Sequence, residues 1–226
     1  MRPILSALAA TAFCAVLLSP TQAQQAPVPL DGVITADYTN PGLSPSHWVL
    51  TLHRDGTGHF HSDRGDASRV KMTEIEVPDE DRDIRLSKDF TAKVFATAQE
   101  HNWFNVNCES RAKVAFQGWK KLSYSGPEGQ GSCTFNYSRD KQIQALGEAF
   151  IGVASTLHEG ARLELLLLHD RLGLDREMEY ISDSAKDGRL IQICVIRDIL
   201  QRLANDEALL ERVRKRARNL LAKAGS

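Results

Sequence analysis

The chain has 226 residues, 42% hydrophobic and 25% charged, with a formal net charge of −1, so it is long enough to bury a sizeable core without help from metals. A near-neutral balance of 28 basic and 29 acidic residues excludes the electrostatic footprint of a nucleic-acid binder or of a protein held on anionic lipid.

Met1, Arg2 and Pro3 form a short positive start, followed by an uncharged run from Ile4 to Pro20 built on Leu, Ala, Val and Phe. That run falls short of the roughly 20 apolar residues a membrane-spanning helix needs, and it ends in Thr21-Gln22-Ala23, a small-residue cleavage site. Residues 1–23 are therefore expected to be a cleaved signal peptide, with cleavage after Ala23, and the mature protein is expected in the periplasm or secreted. Cys14 raises the alternative of a lipoprotein, but Thr11-Ala12-Phe13 does not supply the residues a lipid-attachment site requires. No second apolar run of membrane length follows, so no transmembrane segment is expected in the mature chain.

Residues 24–45, rich in Pro, Gly and Gln, read as a flexible tether with at most a short strand at Val33 to Tyr38. From Trp48 the pattern takes a period of two. Trp48, Leu50 and Leu52 alternate with polar residues, Asp55-Gly56-Thr57-Gly58 supplies a turn, and Phe60 returns on the apolar face. A three-residue loop at Gly56–Gly58, pairing Asp55 with His59, puts Leu52 and Phe60 on one side. Val70 and Met72 predict a further strand. An acidic loop follows, and then Ser87 is placed to cap a helix carrying Phe90, Val94, Phe95 and Ala98. A second hairpin is expected from strands near Trp119–Ser125 and Ser132–Ser138, joined by the glycine-rich Gly126–Gly131.

Beyond Asp140 the periodicity is helical. One helix is expected to end at Gly160, a second to run from Leu163 to Leu172, a third to be capped by Asp175, and two more to span about 190–204 and 207–223. The fold class is α+β: antiparallel β-hairpins with helices, followed by a C-terminal helical bundle, with an α+β domain at 46–158 and a helical domain at 159–226.

Removal of the signal peptide leaves Cys108, Cys133 and Cys194. Cys133 alternates with Phe135 and Tyr137 in a strand and Cys108 lies upstream in a polar loop, so these two are expected to bridge, leaving Cys194 as a buried free thiol.

His53, His59 and His61 form the main cluster of chemical interest. In the expected register all three face away from Leu52 and Phe60, with His61 directly across from His53. An H-x-H pair with one cross-strand His can hold zinc through three imidazoles and leave a fourth position for water. The competing reading is polar residues on the wet face of an antiparallel sheet.

Other motifs carry less. Ser138-x-x-Lys141 lacks the companion motifs of penicillin-binding enzymes, and Ser138 or Asp140 reads as the cap of the helix that follows. Arg212 to Arg218 is a basic run on an amphipathic helix preceded by acids. Asn136-Tyr137-Ser138 is a formal glycosylation sequon. Trp119 and Tyr124 are candidates to line a groove between sheet and helices. The chain lacks a G-x-S-x-G elbow, an H-E-x-x-H zinc motif, a Walker loop, a G-x-G-x-x-G turn and a C-x-x-C pair.

Leu50 to Phe60 with its Asp-Gly-Thr-Gly turn, and the run Gly131-Ser132-Cys133-Thr134-Phe135-Asn136-Tyr137-Ser138, resemble parts of small exported bacterial proteins with no assigned activity. The resemblance implies export and adds no mechanism. The functional expectation is a non-enzymatic binding or interaction module with a protein partner, acting through the sheet face or the groove. The alternative is a metal-dependent hydrolase centred on His53, His59 and His61.

Overall fold

The structure is a computed structural model that describes residues 31–65 and 75–224. The expected signal peptide and the strand expected at Val70–Met72 lie outside the described residues. The rest confirms the α+β class. Six strands, β1 (Val33–Thr39), β2 (His47–His53), β3 (Thr57–Asp63), β4 (Glu80–Arg85), β5 (Trp119–Gly126) and β6 (Gly129–Phe135), form one antiparallel sheet in the order β4-β3-β2-β1-β5-β6. Five helices accompany it: α1 (Lys88–Glu100), α2 (Lys141–His169), α3 (Gly173–Lys186), α4 (Arg197–Asn205) and α5 (Glu211–Ala224).

Period-two alternation divides the sheet into unlike faces. Ile34, Ala36, Leu50, Leu52, Phe60, Leu122, Tyr124 and Phe135 point to one side and are buried under α1 and the first half of α2. Residues of opposite parity are partly or fully exposed, and no described element packs over them. Val33–Thr39, expected within a tether, is instead central, paired with β2 on one side and β5 on the other. Its alternation of Ile34, Ala36 and Tyr38 with Thr35 and Asp37 was the sign of that role.

The register of β2 with β3 also differs from expectation. Thr51, not Asp55, lies across from His59, and Leu50 faces Phe60, so the loop is Arg54–Gly56 rather than Gly56–Gly58. The cause is local. Asp55 Oδ1 accepts from both Thr57 N and Thr57 Oγ1, pinning a tight turn, and Gly56 takes a φ of +85° beneath Leu86, whose N–H donates to Gly56 O at 2.8 Å. The slip is an even number of residues, so every side chain keeps its expected face.

At α1, Ser87 caps as expected, its Oγ accepting from Phe90 N at 3.3 Å. Asp140 caps α2, accepting from Gln142 N and Ile143 N. Helix α2 does not stop at Gly160 but runs 29 residues to His169. A glycine inside a helix costs about 1 kcal/mol relative to alanine, yet here a Cβ would lie 2.3 Å from Ile196 Cγ2, so the residue is needed for the close approach of the Ile193–Ile196 turn. The domain boundary expected at 158–159 falls inside α2, at the point where the helix passes from the sheet core, ending at Leu157, to a second core beginning at Leu163. That second core gathers α3, α4 and α5. Asp175 does not cap α3; Asp170 Oδ1 accepts from Gly173 N, and Asp175 instead pairs with Arg212 and Arg216 of α5.

Cys108 and Cys133 form the expected disulfide, with Cα atoms 5.6 Å apart. Cys194 is a free, partly buried thiol in the 3-10 turn Ile193–Ile196, ahead of α4 rather than within a helix.

Two outcomes test this account. Gly160→Ala, a change that normally stabilises a helix, is expected to lower the unfolding free energy by roughly 1–3 kcal/mol in urea titration, and to turn neutral or favourable when Ile196→Ala accompanies it. The chain lacking residues 1–23 is expected to show one thiol by reagent titration under denaturing conditions, and Cys108→Ala/Cys133→Ala to lower stability by about 3 kcal/mol.

A histidine and aspartate ladder as the candidate functional site

The open face of the sheet takes its chemistry from residues of one parity on four strands: Asp37 on β1, His47 on β2, His59, His61 and Asp63 on β3, and Asp81 and Asp83 on β4. Antiparallel pairing sets His47 across from Asp63, His61 across from Asp81 and His59 across from Asp83. The result is a continuous alternation of acid and imidazole across four of the sheet's six strands.

Its links are short. Asp37 Oδ1 lies 3.2 Å from His47 Nε2, and His47 Nδ1 lies 2.8 Å from Asp63 Oδ2. Asp63 Oδ1 is 3.4 Å from His61 Nε2, and His61 Nδ1 is hydrogen-bonded to Asp81 Oδ2 at 3.1 Å. Asp81 Oδ1 is 3.2 Å from His59 Nε2, and His59 Nδ1 is hydrogen-bonded to Asp83 Oδ1 at 3.0 Å. Every imidazole in the ladder therefore stands between two carboxylates.

A neutral imidazole carries one N–H and one lone pair, whereas an ionised carboxylate only accepts, so a ring flanked by two carboxylates satisfies both as the doubly protonated cation. The hydrogen bond to Asp83, then the charge of Asp81, holds His59 above the ordinary 6.5 against its partial desolvation. The hydrogen bond to Asp81, with Asp63 behind it, does the same for His61. In return Asp81 is lowered chiefly by its hydrogen bond from His61, and Asp63 chiefly by its bond from His47.

Of the expected trio, His59 and His61 stand side by side in this ladder. His53 shares their face but sits at the end of β2, across from Val33, while Val49 occupies the position across from His61. His53 and His59 border a shallow cleft of about 520 Å³ together with Asp83 and Arg85. Among the described residues no group of three or more His, Cys, Asp or Glu side chains is placed to hold a metal ion. Both ring nitrogens of His59 and of His61 face carboxylates.

The two aspartates of β4 escaped the sequence reading, which took that stretch for an acidic loop. Pro78-Asp79-Glu80-Asp81-Arg82-Asp83 has low strand propensity. The signal lay in parity: Glu80, Arg82 and Ile84 alternate with Asp81, Asp83 and Arg85, and the first set turns inward.

The other candidates resolve as structure. Trp119 lies on the open face, 47% exposed, and Tyr124 on the buried face stacked on Trp103 at 4.2 Å, so their opposite parity prevents one groove from using both. Ser138 is buried and its Oγ accepts from Asp140 N. Asn136 is buried, its side chain bonded to Gln117 N and Ala115 O. In the basic run, Arg212 and Arg216 pair with Asp175, and Arg214 and Arg218 with Glu211. Burial pushes the Cys194 thiol up, which leaves it a poor nucleophile.

No protein family matches the chain, and no curated protein matches it.

Selective substitution tests the ladder by following imidazole Cε1–H shifts against pH. Asp83→Asn is expected to lower the titration midpoint of His59 and to leave His61 nearly unmoved. Asp81→Asn, which removes the carboxylate the two rings share, is expected to lower both.

Proposed function

We propose that the protein is an exported, non-enzymatic binding module that engages a cationic partner through the open face of its sheet. The observation that carries this reading is the ladder itself, four carboxylates to three imidazoles on a face that no described element covers. When the imidazoles are neutral, the carboxylates present a concentrated negative surface, and the ammonium or guanidinium groups of a basic partner can take the places the ring protons leave. Export is supported by the Cys108–Cys133 disulfide, a bond that persists in oxidising compartments, and by the apolar N-terminal run. No helix among the described residues is long and apolar enough to cross a membrane.

A lysine-rich peptide titrated calorimetrically into the protein at low ionic strength tests the reading. Binding is expected to tighten as pH rises from about 5.5 to about 8, as His59 and His61 lose charge, and to weaken with salt. Asp63→Asn/Asp81→Asn/Asp83→Asn is expected to weaken it about tenfold or more, while Glu179→Gln/Asp183→Asn on the helical half leaves it unchanged. Equal weakening by both variants, or indifference to the ladder variant, would contradict the proposal.

A further inference from the structure

Strand β4 is the edge of the sheet, paired among the described residues with β3 alone. It has little apolar surface to hold it there. Only Ile84 of its six residues is a buried hydrophobic; the inward positions Glu80 and Arg82 are charged, and the outward ones are Asp81, Asp83 and Arg85. Beyond its backbone pairing with β3, its seat therefore draws on ionisable groups on both faces.

On the outer face the bonds are those of Asp81 and Asp83 to His59 and His61, described above. On the inner face Glu80 is only 5% exposed. Arg82 Nη2 lies 3.1 Å from Glu80 Oε2 but off the hydrogen-bond axis, so neither Glu80 oxygen accepts a hydrogen bond among the described residues. The same guanidinium is drawn 3.8 Å from Glu164 of α2, whose negative charge also opposes ionisation of Glu80. Burial, partly offset by Arg82, pushes Glu80 up to about 7. The Ile193–Ile196 turn, which also packs against β4, brings Cys194, raised by burial and so neutral across this range, with Arg197 following it. At the strand's ends Arg64 N donates to Asp79 Oδ1, and Arg85 Nη1 donates to Asp55 O.

We infer that β4 is a pH-responsive latch, seated most firmly on β3 while His59, His61 and Glu80 carry their protons and opening more often, though still transiently, when they give them up. Release would bare the hydrogen-bonding edge of β3 to any incoming strand.

The signs agree on both faces. His59 and His61 bind protons more tightly in the seated form, so their contribution is complete below the ordinary 6.5 and is lost as pH rises through their raised values. Glu80 also holds its proton in the seated form, so from the ordinary 4.5 up to about 7 each rise in pH favours release. Asp81, lowered chiefly by His61, supports the latch above the ordinary 3.8 and fails it only in stronger acid. Elsewhere on α2, His158 works in the opposite sense: burial, then Arg162, holds it down to about 4, so it favours the fold increasingly from pH 4 to 6.5. Global stability therefore mixes opposed contributions, and a local readout is needed.

Amide hydrogen exchange supplies one. The opening of residues 80–85 is measured at about pH 5.5 and about pH 8.5, corrected for the intrinsic pH dependence of exchange and referred to β1 and β5. The wild-type chain is expected to open at β4 about tenfold or more often at the higher pH, with β1 and β5 unchanged. His59→Gln/His61→Gln should lose part of that dependence, and the addition of Glu80→Gln should abolish the remainder. Equal opening of wild-type β4 at both pH values, or a triple variant that keeps the full dependence, would overturn the inference.

Discussion

Strand β4 buries one apolar side chain and presents charges on both faces, so beside its backbone pairing with β3 it draws on charge pairing. That constraint organises the outer face of the molecule. Burial alone suffices for β1, β2 and β5, each of which contributes two or more large apolar residues to the core beneath α1 and α2. At β4 the inward positions are Glu80 and Arg82, and the hydrophobic term that anchors the other strands, on the order of 2 kcal/mol per large buried side chain, is mostly missing. Cross-strand imidazole–carboxylate pairs add to the strand's backbone pairing with β3, and these depend on pH where hydrophobic contacts do not.

The inner half of the fold is arranged by α2. Its first half covers the sheet and its second half seats α3, α4 and α5, so one helix is a wall of two cores. At Gly160 the helix admits Ile196 against its backbone, and the turn that carries Ile196 also meets β4. Gln192 just before that turn takes a left-handed conformation and its Oε1 accepts from Ser87 N, tying the helical half to the cap of α1. The edge strand is thus bordered by the sheet on one side and by the junction of the two cores on the other, and a change in its seating has a route to both.

Much of this was legible in the sequence because the alternation of apolar residues is strict. Trp48, Leu50, Leu52 and Phe60 announce their shared face, Ser87 and Asp140 announce helix starts, and Cys133 within an alternating strand points to Cys108 as its partner. What the sequence hid follows from competition between local and long-range terms. Gly160 has the local signature of a helix end, and only the proximity of Ile196, 36 residues on, makes it an interior position. Asp175 looks like a cap, but Arg212 and Arg216 compete for its carboxylate. The exact partner of His59 depended on where Asp55 closed the turn. The ladder was half visible, since the shared parity of His53, His59 and His61 was right, while Asp81 and Asp83 were concealed by a segment whose composition argues against a strand.

The central claim is that His59 and His61 stand in the ladder as imidazolium ions held between carboxylates. Long-range proton–nitrogen correlation of the histidine rings at about pH 7, where a free imidazole is mostly neutral, measures this directly. Both ring nitrogens of His59 and of His61 are predicted to bear protons and to resonate in the imidazolium range. Spectra in which each ring shows one protonated and one bare nitrogen would contradict the account.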